Sequence, residues 1–125
     1  MPQVTELTYY SWGKVDDCVK AIEQKLPIGW KPSGVFGLPR GGLIPAVIIS
    51  HDLDIPLLAA PAPGCLVVDD IADTGATLKH YKDSGYKIAV LVHKFHTSSV
   101  TPDFSGIQTN DPNWVVFPWE KKQDA

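Results

Sequence analysis

The sequence predicts a single-domain α/β fold with a mostly parallel sheet covered by helices. Three observations support this prediction. Short apolar runs typical of buried strands alternate with segments of helical periodicity. The 125 residues can bury one core but leave little room for a second domain. Hydrophobic residues make up 44% and charged residues 20% of the chain, as in ordinary globular proteins.

The first helix is predicted in SWGKVDDCVKAIEQKL. Its apolar residues recur at steps of three and four: Trp12, Val15, Val19, Ile22 and Leu26. Ser11 is a suitable N-cap because its hydroxyl can accept from a free amide of the first turn. Pro27 and Gly29 end the pattern.

A strand, a glycine-rich loop and a second helix follow. GVFGL (34–38) is a short apolar run bounded by turn residues, which indicates a buried strand. PRGG comes directly after it. LIPAVIISHDL suits a helix with Pro45 in its first turn, where the missing N–H costs least.

The remaining elements alternate in the same way. IPLLAA is a candidate second strand, CLVVDD the third, GATLKHYKDSG a short helix, KIAVLVH the fourth strand, GIQTN a further one and NWVVFPWE an ordered tail. Only PAPG separates LLAA from CLVV. Such a linker spans roughly 18 Å at about 3.5 Å per residue, so IPLLAA is either a very short strand or is not parallel to the others.

Composition excludes several function classes. The net charge of −3 and the lack of a basic run argue against nucleic acid as a partner. Cys18 and Cys65 lie in apolar patterns, which favours core packing over a disulfide. The N-terminus does not have the pattern of a leader, and the chain lacks the roughly 18 consecutive apolar residues of a membrane span. We therefore expect a cytoplasmic protein with no membrane partner.

The segment CLVVDDIADTGAT carries the strongest functional signal. Residues 73–77 lead from a strand into a helix, so their amides would converge at a helix N-terminus and bind a phosphate. Asp69 and Asp70 would lie beside this phosphate site, where carboxylates accept from sugar hydroxyls or hold a divalent cation. A site that combines phosphate-binding amides with adjacent carboxylates is typical of proteins that bind a ribose 5-phosphate.

These motifs resemble those of a known family. VVDDIADTGAT resembles the phosphoribosyl pyrophosphate signature of the type I phosphoribosyltransferases, and GLPRGGLIPA resembles their pyrophosphate loop. With VHKF in the matching order, NWVVFPWE is similar to the purine-covering end of the bacterial xanthine-guanine enzymes. The resemblance implies transfer of 5-phosphoribose from phosphoribosyl pyrophosphate to xanthine, guanine or hypoxanthine in purine salvage. It also implies Mg²⁺ as cofactor.

The resemblance assigns roles to particular residues. Asp69 and Asp70 would bind the ribose hydroxyls, with Asp70 also the magnesium ligand, and Asp73 would be a general base near the purine N7. The 5-phosphate cradle would be formed by Thr74, Gly75, Ala76 and Thr77.

The pyrophosphate loop would be formed by Arg40, Gly41 and Gly42, with a cis peptide between Pro39 and Arg40. The guanidinium can neutralise the leaving group, and the glycines allow close backbone approach.

The base would be held by the C-terminal part of the chain. By the same resemblance Lys94 would donate to the 6-oxo group, Trp114 would stack on the base, and the Val115 carbonyl would read the 2-substituent. Residues 104–120 would form a hood over the purine within one domain spanning 1–125.

The sequence departs from the family at one point. The usual mobile lid loop between the second and third strands is shortened or absent, since only PAPG stands there. A lid excludes water from the reacting donor, so a non-catalytic phosphoribosyl-pyrophosphate or nucleotide-binding module is the first alternative. A phosphoribosyltransferase for another base is the second. The apolar tail predicts a homo-oligomer, a dimer or tetramer, whose neighbouring chain partly replaces the lid.

Overall fold

The predicted α/β class is confirmed by the structure, a computed structural model that describes residues 6–120. Its elements in chain order are β1 (Leu7–Tyr9), α1 (Trp12–Lys25), β2 (Val35–Gly37), α2 (Leu43–Leu53), β3 (Leu57–Leu58), β4 (Leu66–Ala72), α3 (Ala76–Asp83), β5 (Lys87–Lys94), β6 (Phe104–Thr109) and β7 (Trp114–Val116).

Five strands form the main sheet in the order β3-β2-β4-β5-β6, and every neighbouring pair is parallel. Helices α1 and α2 cover one face, with a core that includes Val19, Ile49 and Leu91. Helix α3 covers the other face through Leu78. Because all five strands run the same way, the loops after β2, β4 and β5 emerge at one edge of the sheet.

Helix α1 forms largely as predicted. Ser11 Oγ accepts a hydrogen bond of 3.1 Å from the Lys14 amide, and Val15 is fully buried. The expectation that Trp12 lies on the buried face is wrong, since 54% of its surface is exposed. Trp12 is the first residue of the helix, and its ring lies 5.8 Å from that of Trp119 in the C-terminal tail.

The open question about IPLLAA is settled by strand pairing. Strand β3 is parallel to β2 and only two residues long, so the PAPG linker suffices. Strand β4 includes Asp69 and Asp70, as predicted, and extends two residues beyond the predicted end. Its ladder with β5 continues to the pair Ala72 and His93.

The C-terminal tail packs on its own domain. Strand β7 pairs in parallel with β1, which the sequence pattern did not indicate. Phe117 is buried and stacks on Trp119 with ring centroids 4.9 Å apart. The large apolar side chains of the tail are thus largely covered within the domain, and Trp114 is the half-exposed one. The tail therefore does not supply the surface for the predicted homo-oligomer. Of residues 104–120, the first six belong to the main sheet as β6.

The homo-oligomer stays a prediction, with a different surface to support it. Leu43 and Val47 of α2 and Leu57 of β3 are partly exposed, and these two elements are in contact. Leu43 directly follows the predicted pyrophosphate loop.

Cys18 and Cys65 are both buried and free. None of the helices found within residues 6–120 has the length and apolar character that crossing a membrane requires.

We expect Gly106→Ala to destabilise the fold, because α1 and β6 approach too closely for a side chain there. An added Cβ would lie 2.6 Å from Cys18 Cβ and 2.8 Å from Leu91 O. Overpacking of this kind costs about 1–3 kcal/mol, which urea unfolding would measure. Gly13→Ala is the matched control: its Cβ would meet Ser11 Oγ only at 3.7 Å, and alanine in place of glycine favours a helix by about 0.5–1 kcal/mol. Equal stability of Gly106→Ala and wild type would contradict this packing.

Candidate active site

The predicted site residues gather at the carboxyl edge of the main sheet. The loop after β2 carries Arg40, the end of β4 carries Asp69 and Asp70, and Lys94 ends β5. Ligands of open parallel sheets bind at this edge, because successive crossovers leave a crevice there. The topology thus brings three separate motifs to one place.

The acidic pair is partly buried at the end of β4. Asp69 Oδ1 accepts from the Asp70 amide and Asp70 Oδ1 from the Ile71 amide, both at 2.8 Å. Burial, reinforced by the neighbouring charge of Asp70, raises the pKa of Asp69 to about 8. The pair therefore carries less than two full charges near neutral pH. A bound cation would favour the ionised form of both.

The loop after β4 forms a small cavity at the start of α3. Its volume is about 140 Å³, and it is lined by Asp69, Ile71, Asp73, Thr74, Gly75, Ala76, Thr77 and Leu78. Gly75 occupies the N-cap position with φ of +80°, a left-handed conformation that favours glycine. Gly75 has no side chain to cap the helix, and the hydroxyl of Thr74 accepts only a long hydrogen bond of 3.4 Å from the Ala76 amide. The amides of the first turn therefore face a place that suits an anion.

A second loop, Thr97–Val100, supports the phosphate loop from behind. Thr97 Oγ1 lies 2.9 Å from both the Oδ1 and the carbonyl oxygen of Asp73. Ser99 donates to the Thr74 carbonyl from its amide at 2.8 Å and from its hydroxyl at 2.9 Å. A Cβ on Gly75 would come within 2.8 Å of Ser98 Oγ. The sequence prediction lacks this loop, although three consecutive hydroxyl residues just after Lys94 are a pattern that could have indicated it.

The loop after β2 packs directly on the acidic pair. The peptide between Pro39 and Arg40 is cis, as the family resemblance implied. A Cβ on Gly41 would overlap the carboxylate of Asp70, and one on Gly42 would collide with Val68 O and Leu38 O. Glycine at both positions thus lets this loop lie against the end of β4. Arg40 itself is exposed.

Lys94, Trp114 and Val115 are brought together at the other side of the site. Lys94 is 5% exposed, and its Nζ donates to the Asn113 carbonyl at 2.6 Å. Asn113 is held in turn by a 3.1 Å hydrogen bond from its side-chain amide to Thr8 Oγ1 of β1. Since an ammonium has three donors, Lys94 keeps donors for a ligand. The pairing of β1 with β7 thereby holds Asn113 in place, and Asn113 in turn positions the buried ammonium group of Lys94.

The carboxylates of Asp69 and Asp70 would suit a magnesium ion whose other ligands come from a bound phosphate and from water. Among residues 6–120 there is no cluster of three or more His, Cys, Asp or Glu side chains that could enclose a metal. Mg²⁺ commonly takes one or two carboxylates and completes its shell with phosphate oxygens and water. The Asp69 and Asp70 pair next to the glycine loop supplies donors of that type.

Comparisons with known proteins show which chains and folds this protein is similar to. No family model matches the chain. A solved purine phosphoribosyltransferase from Pyrococcus horikoshii is 35% identical, with 95% of this chain and 97% of that one covered and a TM-score of 0.78. A xanthine-guanine phosphoribosyltransferase from Desulfotalea psychrophila is 26% identical, over 88% of this chain and 84% of the relative. A xanthine-guanine-hypoxanthine phosphoribosyltransferase structure from Helicobacter pylori shares the fold, with 22% identity, coverage of 92% and 94%, and a TM-score of 0.72.

We expect the stability of the protein to fall with rising pH because of Asp69. Its pKa is 3.8 in an unperturbed chain and about 8 when folded, so the folded state retains a proton that the unfolded state has lost. The penalty is absent below about pH 4, grows up to pH 8 and is then constant. Asp69→Asn should remove it, raising the melting temperature by several degrees near pH 8 and little near pH 4.5.

Differential scanning fluorimetry across pH 4.5–8.5 would measure this difference. Glu23, whose pKa burial raises to about 7, titrates in both proteins and cancels in the comparison. Asp83→Asn, at an exposed carboxylate paired with Lys79 at 2.9 Å and away from both Asp69 and Glu23, is the control and should give no difference that grows toward pH 8. A pH-independent gain for Asp69→Asn as well would contradict the role of Asp69 ionisation.

Proposed function

Because the chain belongs to the type I phosphoribosyltransferase family, we propose that it transfers 5-phosphoribose from phosphoribosyl pyrophosphate to a 6-oxopurine. Pyrophosphate is the other product. The observation that carries this proposal is the contact of the Arg40–Gly42 loop with Asp70. Through this contact the candidate pyrophosphate site lies beside the candidate ribose site, so that one donor molecule can occupy both.

The donor would lie across the three motifs. Its 5-phosphate binds the amides at the start of α3, with the hydroxyls of Thr74 and Thr77 as further donors. Its ribose hydroxyls donate to Asp69 and Asp70. Its pyrophosphate lies on the glycine loop, where Arg40 neutralises the charge that develops as this group departs.

Asp70, with Asp69 beside it, is the residue that would hold Mg²⁺ together with oxygens of the donor. When bound, this ion supplies additional neutralisation of the pyrophosphate charge. Burial of Asp69 makes the ligand-free pair costly to ionise, so the chain gains electrostatically when positive charge or hydroxyl donors reach it.

In the transfer step a ring nitrogen of the purine attacks the anomeric carbon while the bond from that carbon to pyrophosphate breaks. In this proposal Asp73, which lines the cavity beside the phosphate loop, accepts the proton that leaves the purine N7. The protein thus contributes mainly by positioning the two substrates and by stabilising charge.

Selection of the base would depend on Lys94 and β7. The buried ammonium of Lys94 donates to a 6-oxo group but repels the 6-amino group of adenine. Trp114, which is half exposed, offers a flat surface on which a purine can stack. The Val115 carbonyl accepts from a 2-amino group.

A panel of bases tests the proposed function. With donor and Mg²⁺, xanthine, guanine or hypoxanthine should be converted to nucleotide at least about 100-fold faster than adenine, uracil or orotate, because a buried donor left unpaired is costly. Lys94→Met should lower the rate with 6-oxopurines and reduce this ratio. Lys87→Met, at the opposite end of β5, is the control. Preference for adenine would contradict the roles of Lys94 and Val115, and binding without turnover would favour the non-catalytic module.

Donor binding gives an independent prediction. Phosphoribosyl pyrophosphate with Mg²⁺ should raise the melting temperature, since a ligand that binds only the folded state stabilises it. Asp70→Asn should remove most of this rise by deleting one carboxylate charge next to Gly41. Calorimetric titration of Asp16→Asn should give wild-type affinity. No binding of donor or nucleoside monophosphate to the wild type would refute the site assignment.

A further inference from the structure

We propose that Thr97 is a positioning residue that fixes the carboxylate of Asp73 for the proton transfer. This inference rests on the proposed function, since it assigns a task to Asp73. Thr97 is not part of the family motifs and lies three residues beyond Lys94 in the loop after β5. The proposal depends on which atoms its hydroxyl touches.

The hydroxyl of Thr97 holds both ends of Asp73. Its Oγ1 lies 2.9 Å from Oδ1 and 2.9 Å from the backbone carbonyl oxygen of Asp73. A hydroxyl has one hydrogen, so it donates to one acceptor at a time; the Lys94 carbonyl, at 3.4 Å, is a third and longer alternative. When the hydroxyl donates to Oδ1, it holds that oxygen toward Thr97. Within residues 6–120 Oδ2 accepts no hydrogen bond, so it is the oxygen left to receive a proton.

The position of this hydroxyl is itself fixed by the main chain. The amides of Thr97 and Ser98 donate to the Lys94 carbonyl at 3.2 Å and 3.0 Å, which folds the loop back on the end of β5. Lys94 is buried and anchored. Asp73, the candidate base, and Lys94, the candidate partner of the 6-oxo group, are thus both positioned by the end of β5 through one short loop.

Asp73 needs such a partner because it is only partly buried and has no neighbouring cation within the described residues. A carboxylate that rotates freely spends much of its time in orientations that cannot accept the proton, and small misplacements reduce rates strongly. One hydrogen bond from a fixed hydroxyl restricts that rotation. Loss of this hydrogen bond should therefore slow the chemical step.

Ser99 offers an internal contrast two residues further on. Its amide and hydroxyl both donate to the Thr74 carbonyl, so Ser99 supports the backbone of the phosphate loop and does not touch a carboxylate. Loss of the Ser99 hydroxyl should weaken binding of the donor phosphate. Loss of the Thr97 hydroxyl should slow transfer. The two neighbours therefore have separable kinetic signatures.

Steady-state kinetics of wild type, Thr97→Val, Thr97→Ala and Thr97→Ser test the proposal with the 6-oxopurine that the wild type prefers. Thr97→Val and Thr97→Ala should lower kcat on the order of tenfold, which is less than the 10²–10⁴-fold of losing a general base, with the KM for the donor within about twofold. Thr97→Ser keeps the hydroxyl and should restore most of kcat. Ser99→Ala should instead raise the KM for the donor. Thr101→Val, at an exposed threonine of the same loop region, is the matched control and should behave as wild type.

A double-mutant cycle with Asp73→Asn separates positioning from a merely structural role. If Thr97 acts through Asp73, Thr97→Val should change kcat by less than about twofold in the Asp73→Asn background. An equally large loss in both backgrounds, or a wild-type kcat for Thr97→Val, would overturn the proposal while leaving the proposed function intact. A wild-type protein that converts no 6-oxopurine would refute the proposed function and this inference with it.

Discussion

The close approach of the Arg40–Gly42 loop to the carboxyl end of β4 is the constraint on which the site depends. Backbone oxygens exclude a side chain at Gly42, and a side chain at Gly41 would displace the carboxylate of Asp70. Only because the backbone lies this close do residues from two separate crossovers meet at one candidate site. The order β2-β4-β5 in the sheet makes the approach possible, since β2 and β4 are direct neighbours.

Electrostatics and geometry act in opposite directions at the acidic pair. Parallel pairing carries Asp69 into the strand, where burial raises its pKa to about 8 and lowers the stability of the ligand-free fold. That unfavourable burial makes the same position responsive to cations and hydroxyl donors. At the other side of the site, the buried ammonium of Lys94 is held by the Asn113 carbonyl. The side formed by Asp69 and Asp70 thus favours cations and hydroxyl donors, whereas the side formed by Lys94 favours hydrogen-bond acceptors.

Much of the fold and most of the candidate site were predictable because each depended on local pattern. The periodicity of α1, the glycine loop and the acidic strand end are readable in short windows, and the observed α1, β2, α2 and α3 match them. The extent of β4, the partner of β7 and the support from Thr97 were not readable. Each arises from hydrogen bonds between residues far apart in the chain, such as Trp114 with Leu7.

The sequence by itself determined the α/β class, the identity of the motifs and their order, because apolar period and turn chemistry are local properties. Only the tertiary structure decided that β3 is two residues long and parallel, that the tail buries Phe117, and that Thr97 faces Asp73. These outcomes depend on which strands become neighbours. A local pattern shows that a segment can form a strand. Which strands become neighbours is decided by how all strands and loops compete for burial in the complete fold.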